Sequence, residues 1–274
     1  MGTYFMEREM GKIAYDDIGS GPLVLCVPGM GDIRSEYRFI APQIAAEGYR
    51  VVSMDVRAHG ETTIKWSDYS VAAIGSDMIA LIRNLAAGPA IIIGTSMAAG
   101  AAVWAAVEAP DSVTALILLG PSVHGETSWT NKLLYTALFA RPWGPGLWLR
   151  YFQTLYPTRK PADFAQYCAA LRANLEEPGR MEGLVRMLPA SKAASEERLS
   201  RVDVPVLVIM GTKDPDFKDP ESEASWVANS MRGTYKMVEG AGHYPHAEMP
   251  DITGPWIISF LNQVIETKER ILVS

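Results

Sequence analysis

Cysteine is scarce in this chain: its 274 residues include only Cys26 and Cys168. Two cysteines so far apart do not form the dense disulfide framework of small secreted proteins. Cys26 lies in an apolar run typical of a strand, and Cys168 lies in a segment with helical spacing. We therefore predict two reduced, buried thiols and a cytoplasmic protein.

Long apolar runs and an excess of basic residues are also missing. No run approaches the roughly 20 apolar residues that span a bilayer, and residues 1–15 lack the apolar centre of a signal peptide. With 25 Lys and Arg against 31 Asp and Glu, the formal net charge is −6. Because this charge repels nucleic acids and anionic membranes, we expect neither as a partner. A homo-oligomer is compatible with the sequence.

Patterns for metal or cofactor binding are absent as well. The chain has few histidines, namely His59, His124, His243 and His246. No group of His, Cys, Asp and Glu has zinc or two-metal spacing, and adjacent glutamates on helix-like segments are typical of solvated faces. No glycine-rich phosphate loop of the P-loop type occurs. The sequence thus predicts no metal and no cofactor.

Short runs rich in Val, Ile and Leu alternate with longer segments of helical spacing. The runs have no polar–apolar alternation, which is typical of strands buried on both faces of a parallel sheet. They are residues 22–27, 50–54, 90–93, 113–119 and 206–210, and the helical segments are 35–47, 70–86 and 97–108. Two segments that do alternate, 4–7 and 12–17, predict an antiparallel edge. The pattern predicts an α/β fold with a mostly parallel central sheet and helices on both faces.

Residues 122–202 interrupt this rhythm, because they contain no strand-like run. The segment is too long for a simple connection, and its prolines divide it into about four or five short helices. We predict a helical cap here, inserted into a core domain of residues 1–121 and 203–274. Ligands of open α/β sheets bind outside the carboxyl ends of the strands, so this cap would cover the binding crevice.

The aromatic side chains of this insertion fit either of two interpretations. They could line an apolar pocket between insertion and sheet, or pack within the insertion alone. The residues concerned are Trp129, Tyr135, Trp143, Trp148, Tyr151 and Phe152.

The strongest chemical signal is the serine in residues 91–100, IIIGTSMAAG. The segment has the pattern of a strand, a turn of small residues and a helix, and such a strained turn points a serine hydroxyl away from the backbone. Gly94 and Ala98, two residues to either side, are small enough for the turn. We therefore predict that Ser96 is a nucleophile.

A nucleophilic serine needs a base, and the base needs an orienting carboxylate. His243 lies in a glycine-containing loop after a predicted last strand, 235–238, and Asp214 follows the strand at 206–210. The chain order Ser, Asp, His is the one known for a serine on such a turn. Asp216 could reach the same imidazole. We favour Asp214 because it lies three residues after the glycine that ends the strand.

An oxyanion-binding loop is predicted in residues 26–32, CVPGMGD, which follow the first parallel strand. Its glycines leave the backbone exposed, so the Met30 amide could hold a developing oxyanion together with the amide of Met97. His59 is predicted to pack in the core as a turn residue. His246 is expected to flank the last helix, and His124 either lines the pocket or has a structural role.

Together these features resemble the α/β-hydrolase family, in the capped subgroup that includes carboxylesterases. Residues 55–62, DVRAHGET, add to the match because they are similar to the D-x-R-G-x-G-x-S turn of the family. The resemblance extends over about residues 11–268 and implies that Ser96 is the nucleophile, His243 the general base and acid, and Asp214 its orienter. Ala98 replaces the usual glycine and Pro28 replaces a common histidine, so the subfamily stays open.

The implied activity is hydrolysis of a small to medium carboxylic ester through an acyl-enzyme, with a small-molecule ester as the partner. Serine rather than aspartate at position 96 argues against haloalkane dehalogenase and epoxide hydrolase chemistry. Lactonase, carbon–carbon bond hydrolase and perhydrolase activities on the same residues stay open. So does a small-ligand receptor with slow turnover, since the fold alone does not decide function.

Overall fold

A single sheet runs through the centre of the protein. The computed structural model describes residues 2–125, 134–135, 137–139 and 142–273. Within them, the strands are ordered β1-β2-β4-β3-β5-β6-β7-β8 across the sheet. The strands are β1 (Tyr4–Arg8), β2 (Gly11–Gly19), β3 (Leu23–Val27), β4 (Arg50–Met54), β5 (Ala90–Thr95), β6 (Val113–Leu119), β7 (Val206–Gly211) and β8 (Thr234–Val238).

The sheet is mostly parallel with an antiparallel edge, as predicted. β2 pairs antiparallel with both β1 and β4, and the remaining neighbours pair parallel. β3 lies between β4 and β5, so the chain reverses its direction across the sheet at this strand. A crevice opens at such a switch point beside the carboxyl ends of the strands. There Val27 lies opposite Gly94, which brings the loop after β3 close to Ser96.

Helices cover both faces of the sheet and recur along the described part of the connection between β6 and β7. They are α1 (Ile40–Ala46), α2 (Val71–Leu85), α3 (Met97–Glu108), α4 (Gly144–Thr154), α5 (Phe164–Glu176), α6 (Arg180–Met187), α7 (Ala193–Glu196), α8 (Pro220–Ser230), α9 (Pro245–Glu248) and α10 (Pro250–Val273). None of the helices in the described part of the chain combines the length and the apolar character needed to cross a membrane.

The helix predicted over residues 35–47 is divided into two pieces. Arg34–Tyr37 form a 3-10 turn, and α1 begins only at Ile40. Pro42 gives the physical reason. In a continuous helix its ring would clash with the carbonyl of the residue four positions earlier, and it has no N–H to donate.

Buried apolar side chains form one cluster on each face of the sheet. Leu23 and Leu25 of β3 pack with α2, α3 and α8, whereas Val24 and Cys26 pack with α1 and α10. Every residue of β3 is therefore buried, which explains the missing polar–apolar alternation. Cys26 and Cys168 are both buried free thiols, as predicted.

A third cluster, rich in aromatic rings, lies among α4, α5 and α6. The Phe152 ring is fully buried, and its centroid lies 5.5 Å from both the Tyr156 and Tyr244 centroids. Tyr244 directly follows His243 in the chain. The helices between β6 and β7 therefore pack directly against the loop that carries this histidine.

Candidate active site

Ser96 occupies the turn between β5 and α3 in a strained conformation. Its φ of 54° and ψ of −118° are angles that a residue with a side chain rarely adopts. Hydrogen bonds to the β6 region hold the turn: the Ser96 N–H donates to the Leu119 carbonyl at 2.9 Å, and the Ser122 N–H donates to the Ser96 carbonyl at 3.1 Å. The surrounding backbone thus maintains the strained turn that presents the serine.

The two small residues beside Ser96 have different roles. A Cβ atom at Gly94 would lie 2.7 Å from the carbonyl oxygen of Ala98, so only glycine fits at this position. Ala98 itself is fully buried and carries its Cβ within the core. The second small position therefore tolerates alanine, which accounts for the departure from the usual G-x-S-x-G pattern.

His243 is hydrogen-bonded to Asp214. Its Nδ1 lies 2.8 Å from Asp214 Oδ2, and both side chains are buried. The nearer oxygen of Asp216 is 3.7 Å from the same nitrogen. Asp216 instead accepts the hydroxyl of Tyr151 at 2.6 Å. The geometry therefore favours Asp214 over Asp216 as the carboxylate that orients the imidazole.

Glu248, which the sequence did not single out, anchors the His243 loop. This carboxylate is buried and accepts hydrogen bonds from the N–H groups of Gly242 at 2.7 Å and Thr158 at 2.9 Å. The His243 N–H donates to the Leu155 carbonyl at 3.0 Å. These bonds join the loop to the end of α4, a contact between distant segments that no sequence pattern signals.

Two opposing effects determine the pKa of His243. Burial disfavours the imidazolium and lowers the pKa, but the charge of Asp214 and its hydrogen bond raise it more strongly. The result is a pKa of about 9, above the ordinary 6.5. Asp214 therefore stabilises the protonated imidazole, the state that forms when a histidine takes a proton from a serine.

This pair should make a pH-dependent contribution to the free energy of unfolding. Because the pKa is raised from 6.5 to about 9 by folding, the contribution is full below pH 6.5 and is lost as the pH rises to 9. At about 1.4 kcal/mol per pKa unit, the change is at most about 4 kcal/mol. We expect Asp214→Asn to be destabilised most near pH 6, with the difference from wild type shrinking towards pH 9 in urea unfolding. A pH-independent difference would contradict this assignment.

Within the described residues, one amide of the loop after β3 has no acceptor. The Gly29 N–H donates to Glu36 Oε2 at 3.0 Å, and the Gly31 N–H donates to His59 Nε2 at 3.0 Å. For the Met30 N–H between them, the described part of the chain offers no acceptor. The Met97 N–H is the first amide of α3 and has no intrahelical acceptor. Both residues line one cavity with Ser96.

The buried groups that hold this loop have shifted pKa values. Burial lowers the pKa of His59 to about 4, so its imidazole is neutral and can accept from Gly31. Burial also raises the pKa of Glu36 to about 7, despite hydrogen bonds from Thr95 and Gly29. His59 is fully buried in the core, as predicted. The supporting role of Glu36 was missed, because its contact with Gly29 forms only in the folded chain.

The other two histidines lie outside the cavity lining. His246 belongs to α9, immediately before α10, and its Nε2 lies 2.9 Å from the buried Glu36 Oε1. Burial lowers its pKa to about 3, so it is neutral. His124 lies 2.7 Å from Glu223 through Nε2 and packs on the Trp226 ring at a centroid distance of 4.3 Å. The structural alternative is thus the correct one for His124.

The cavity has a volume of about 340 Å³ and contains Ser96 and His243 in its wall. The aromatic residues from the sequence analysis divide among three environments. Tyr135, Trp148 and Tyr151 line the cavity, and Phe152 belongs to the aromatic cluster beside it. The lining role is wrong for Trp143, because its side chain is 54% exposed and lies outside the cavity lining. Trp129 lies outside the described residues.

One group of side chains in the described residues could also hold a cation. The ligand atoms of Asp214, Asp216 and His243 all lie within 4.8 Å of one another. Coordination there would displace the hydrogen bond between Asp214 and His243 and the two that Tyr151 donates to Asp216. The existing hydrogen bonds already satisfy these groups, so the arrangement favours proton transfer over metal binding.

Comparison with known families identifies the fold. A profile of the family described as alpha/beta hydrolase fold matches residues 22–250, well over half of the chain. The chain belongs to the α/β-hydrolase family. A 2-(acetamidomethylene)succinate hydrolase from Mesorhizobium japonicum is 27% identical to this α/β-hydrolase over 94% of this chain and 96% of its own length.

Solved structures of other proteins share the same fold. A bromoperoxidase from Bacillus anthracis superimposes with a TM-score of 0.82 and 16% identity, over 95% of this α/β-hydrolase and all of the bromoperoxidase chain. A malate-bound esterase from Thermogutta terrifontis has a TM-score of 0.79 and 21% identity, over 96% of this chain and 99% of its own. At such identities, these likenesses establish the fold alone.

Proposed function

We propose that this α/β-hydrolase cleaves small to medium carboxylic esters through an acyl-enzyme intermediate. One observation carries the proposal: Ser96, on its strained turn, shares a cavity with His243, whose Nδ1 is hydrogen-bonded to Asp214. A nucleophile, a base and an orienting carboxylate in this chain order are the requirements for acyl transfer in this fold.

In the proposed reaction, Ser96 Oγ attacks the ester carbonyl while His243 Nε2 takes its proton. Nε2 is the nitrogen available for this step, because Nδ1 is bonded to Asp214. The imidazolium then gives the proton to the leaving alcohol, and an acyl-enzyme remains. Water, activated by the same imidazole, releases the carboxylic acid and restores the serine.

The amides of Met30 and Met97 are proposed to stabilise the tetrahedral oxyanion. Both belong to residues that line the cavity. The neighbouring Gly29 and Gly31 amides already donate hydrogen bonds to side chains. An amide that is held in place and has no other acceptor can bind a developing negative charge without reorganisation, which is worth several kcal/mol in related sites.

The segment of residues 122–202 is proposed to act as a cap on a core domain of residues 1–121 and 203–274. In its described part, Trp148 and Tyr151 of α4 and Met187 of α6 line the same cavity as Ser96. The Trp148 indole N–H also donates to the Gly31 carbonyl at 3.0 Å, which joins α4 to the oxyanion loop. Such a cap limits the length of the acyl chain.

The proposed cap predicts how kcat/KM depends on the length of the acyl chain. We expect p-nitrophenyl esters from acetyl to hexanoyl to have the highest kcat/KM, because the cavity of about 340 Å³ lies near the lower end of small-molecule sites. Palmitate should be a poor substrate. A chain-length series at constant enzyme concentration measures this. Highest kcat/KM on palmitate, with little activity on acetate or butyrate, would show that residues 122–202 are no such barrier.

One relationship favours a second candidate, cleavage of a related bond by the same residues. A relative is named as a hydrolase of 2-(acetamidomethylene)succinate. The same series of esters separates the candidates: multiple turnover on simple esters supports the esterase, whereas turnover only on a lactone or a carbon–carbon substrate supports the second candidate. Tight binding with at most one slow turnover would instead support a receptor. Lactones and carbon–carbon substrates would be tested next.

A further inference from the structure

Lys192 lies in the wall of the cavity that contains Ser96 and His243. It precedes α7, in the connection between β6 and β7, and its side chain is half-buried. The cavity thus contains a cationic side chain in addition to the groups needed for ester hydrolysis. An uncharged ester requires no such cation, so its presence needs a separate explanation.

The carboxylates near Lys192 already have other partners. Asp216 accepts two hydrogen bonds from the Tyr151 hydroxyl, at 2.6 and 2.8 Å, and Glu223 lies 2.7 Å from His124. Among the described residues, no carboxylate oxygen comes within the 4.0 Å of an ion pair with the Lys192 ammonium. Within the part of the chain that the structure describes, Lys192 is therefore a partly desolvated cation without a direct counter-ion.

Burial affects Lys192 in the direction expected for such a group. It lowers the pKa of the ammonium, and the more distant charges of Asp216 and Glu223 oppose this effect. An ammonium that loses water without gaining a partner is destabilised, and an anion bound beside it removes this cost. Although Asp216 lines the same cavity, the part of the wall beside Lys192 is therefore complementary to a ligand with a negative charge.

The backbone of Lys192 is held against the core. Its carbonyl lies 2.8 Å from the Ser195 hydroxyl, which is also 2.7 Å from the Val123 carbonyl. Ser195 is fully buried, and a Cβ atom at Gly100 of α3 would lie 3.0 Å from its hydroxyl. Because α3 begins directly after Ser96, the lysine and the serine are positioned by the same helix.

We propose that Lys192 binds a carboxylate of the substrate, so that the substrate is an anionic acyl compound such as the monoester of a short dicarboxylic acid. This inference rests on the proposed function for the reaction itself, but not for the binding of the anion. The carboxylate forms a charge-assisted hydrogen bond with the ammonium while the ester group lies at Ser96. The pair sets which end of the substrate faces the serine.

The kinetic test compares monoethyl glutarate with ethyl glutaramate, its neutral amide analogue of nearly the same shape. We expect wild type to favour the acid in kcat/KM. Lys192→Met should lower kcat/KM for the acid by roughly 10- to 100-fold more than for the amide. This is the factor that corresponds to the typical free energy of a hydrogen bond to a charged group. Lys192→Arg, which keeps the charge, should restore most of the preference.

Lys218→Met is the matched control for net charge. Lys218 is exposed and lies outside the cavity lining, close to Asp216 in the chain. Its replacement removes the same charge and should change the ratio of acid to amide less than threefold, because an exposed charge is screened by salt. An unchanged ratio in Lys192→Met, or an equal loss in Lys218→Met, would overturn the proposed carboxylate site.

A binding measurement separates this proposal from the proposed hydrolysis. Calorimetric titration of Ser96→Ala with monoethyl glutarate should give a Kd at least about tenfold lower than titration of Ser96→Ala/Lys192→Met. If wild type hydrolyses neither ester but this difference is found, the carboxylate site stands and the proposed reaction fails. If both esters are hydrolysed and the two Kd values agree, the reaction stands and the site fails.

Discussion

Replacing Ser96 by alanine is expected to lower kcat on a short ester by a factor of about 10³ to 10⁶, because the nucleophile and its base act as a unit. The residual activity would come from the amides proposed to bind the oxyanion and from substrate positioning, which remain in the variant. Steady-state kinetics on p-nitrophenyl butyrate measure the loss. The folded state should survive, since only the hydroxyl is removed and the backbone bonds that hold the turn are unchanged.

Ser122→Ala is the matched control for this experiment. Ser122 also lines the cavity, so the variant removes a second hydroxyl from the same wall. The backbone N–H of Ser122, which donates to the Ser96 carbonyl, is kept. We expect at most about a tenfold loss, because one neutral hydrogen bond is worth about 1 kcal/mol. An organophosphonate should label wild type and Ser122→Ala but not Ser96→Ala. Near-normal turnover in Ser96→Ala would refute Ser96 as nucleophile.

The second large effect is expected at the acid of the site. Asp214→Asn should lower kcat by about 10³ to 10⁴, because an amide no longer stabilises the imidazolium or selects its tautomer. Asp216→Asn should cost far less, since this carboxylate lies 3.7 Å from the imidazole and is bonded to Tyr151. Kinetics of the two variants under the same conditions provide the comparison.

The pH profile distinguishes an electrostatic effect of Asp214 from a loss of structure. Because the Asp214 charge raises the pKa of His243, the acid limb of kcat/KM should move to lower pH in Asp214→Asn. A misfolded variant would lose activity without this shift. If Asp216→Asn caused the larger loss of activity and the larger shift of the acid limb, Asp216 rather than Asp214 would be the orienting carboxylate.

The sheet could be predicted from sequence because its signal is local. The strands at residues 50–54 and 113–119 have the bounds predicted for them, since unbroken β-branched and leucine-rich runs are typical of strands buried on both sides. The turn at Ser96 could also be predicted, because the close contact that requires glycine at position 94 forms within the same short segment. Pro42 is a local signal for the division of the predicted 35–47 helix. The spacing of apolar residues nevertheless predicted one continuous helix there.

The details of the site depended on contacts between distant segments. Asp214 and Asp216 are two residues apart in sequence, and only the path of the loop after β7 decides which one contacts His243. Within the described residues, the Met30 amide is unpaired while its neighbours are not, because Glu36 and His59 accept the hydrogen bonds of the Gly29 and Gly31 amides. Neither arrangement has a local pattern from which it could be predicted.

By itself, the sequence determined the α/β order of elements and the turn that carries Ser96, which follow from apolar periodicity and side-chain size over a few residues. The grouping of Ser96 with Asp214 and His243 was an expectation from their chain order and from the resemblance to the α/β-hydrolase family. Only the tertiary structure decided that Trp148 lines the cavity while Trp143 is exposed, and that Lys192 reaches the same wall as Ser96. The physical reason is that exposure and charge pairing depend on which distant segments meet, and the packing of the helices between β6 and β7 against the sheet determines that.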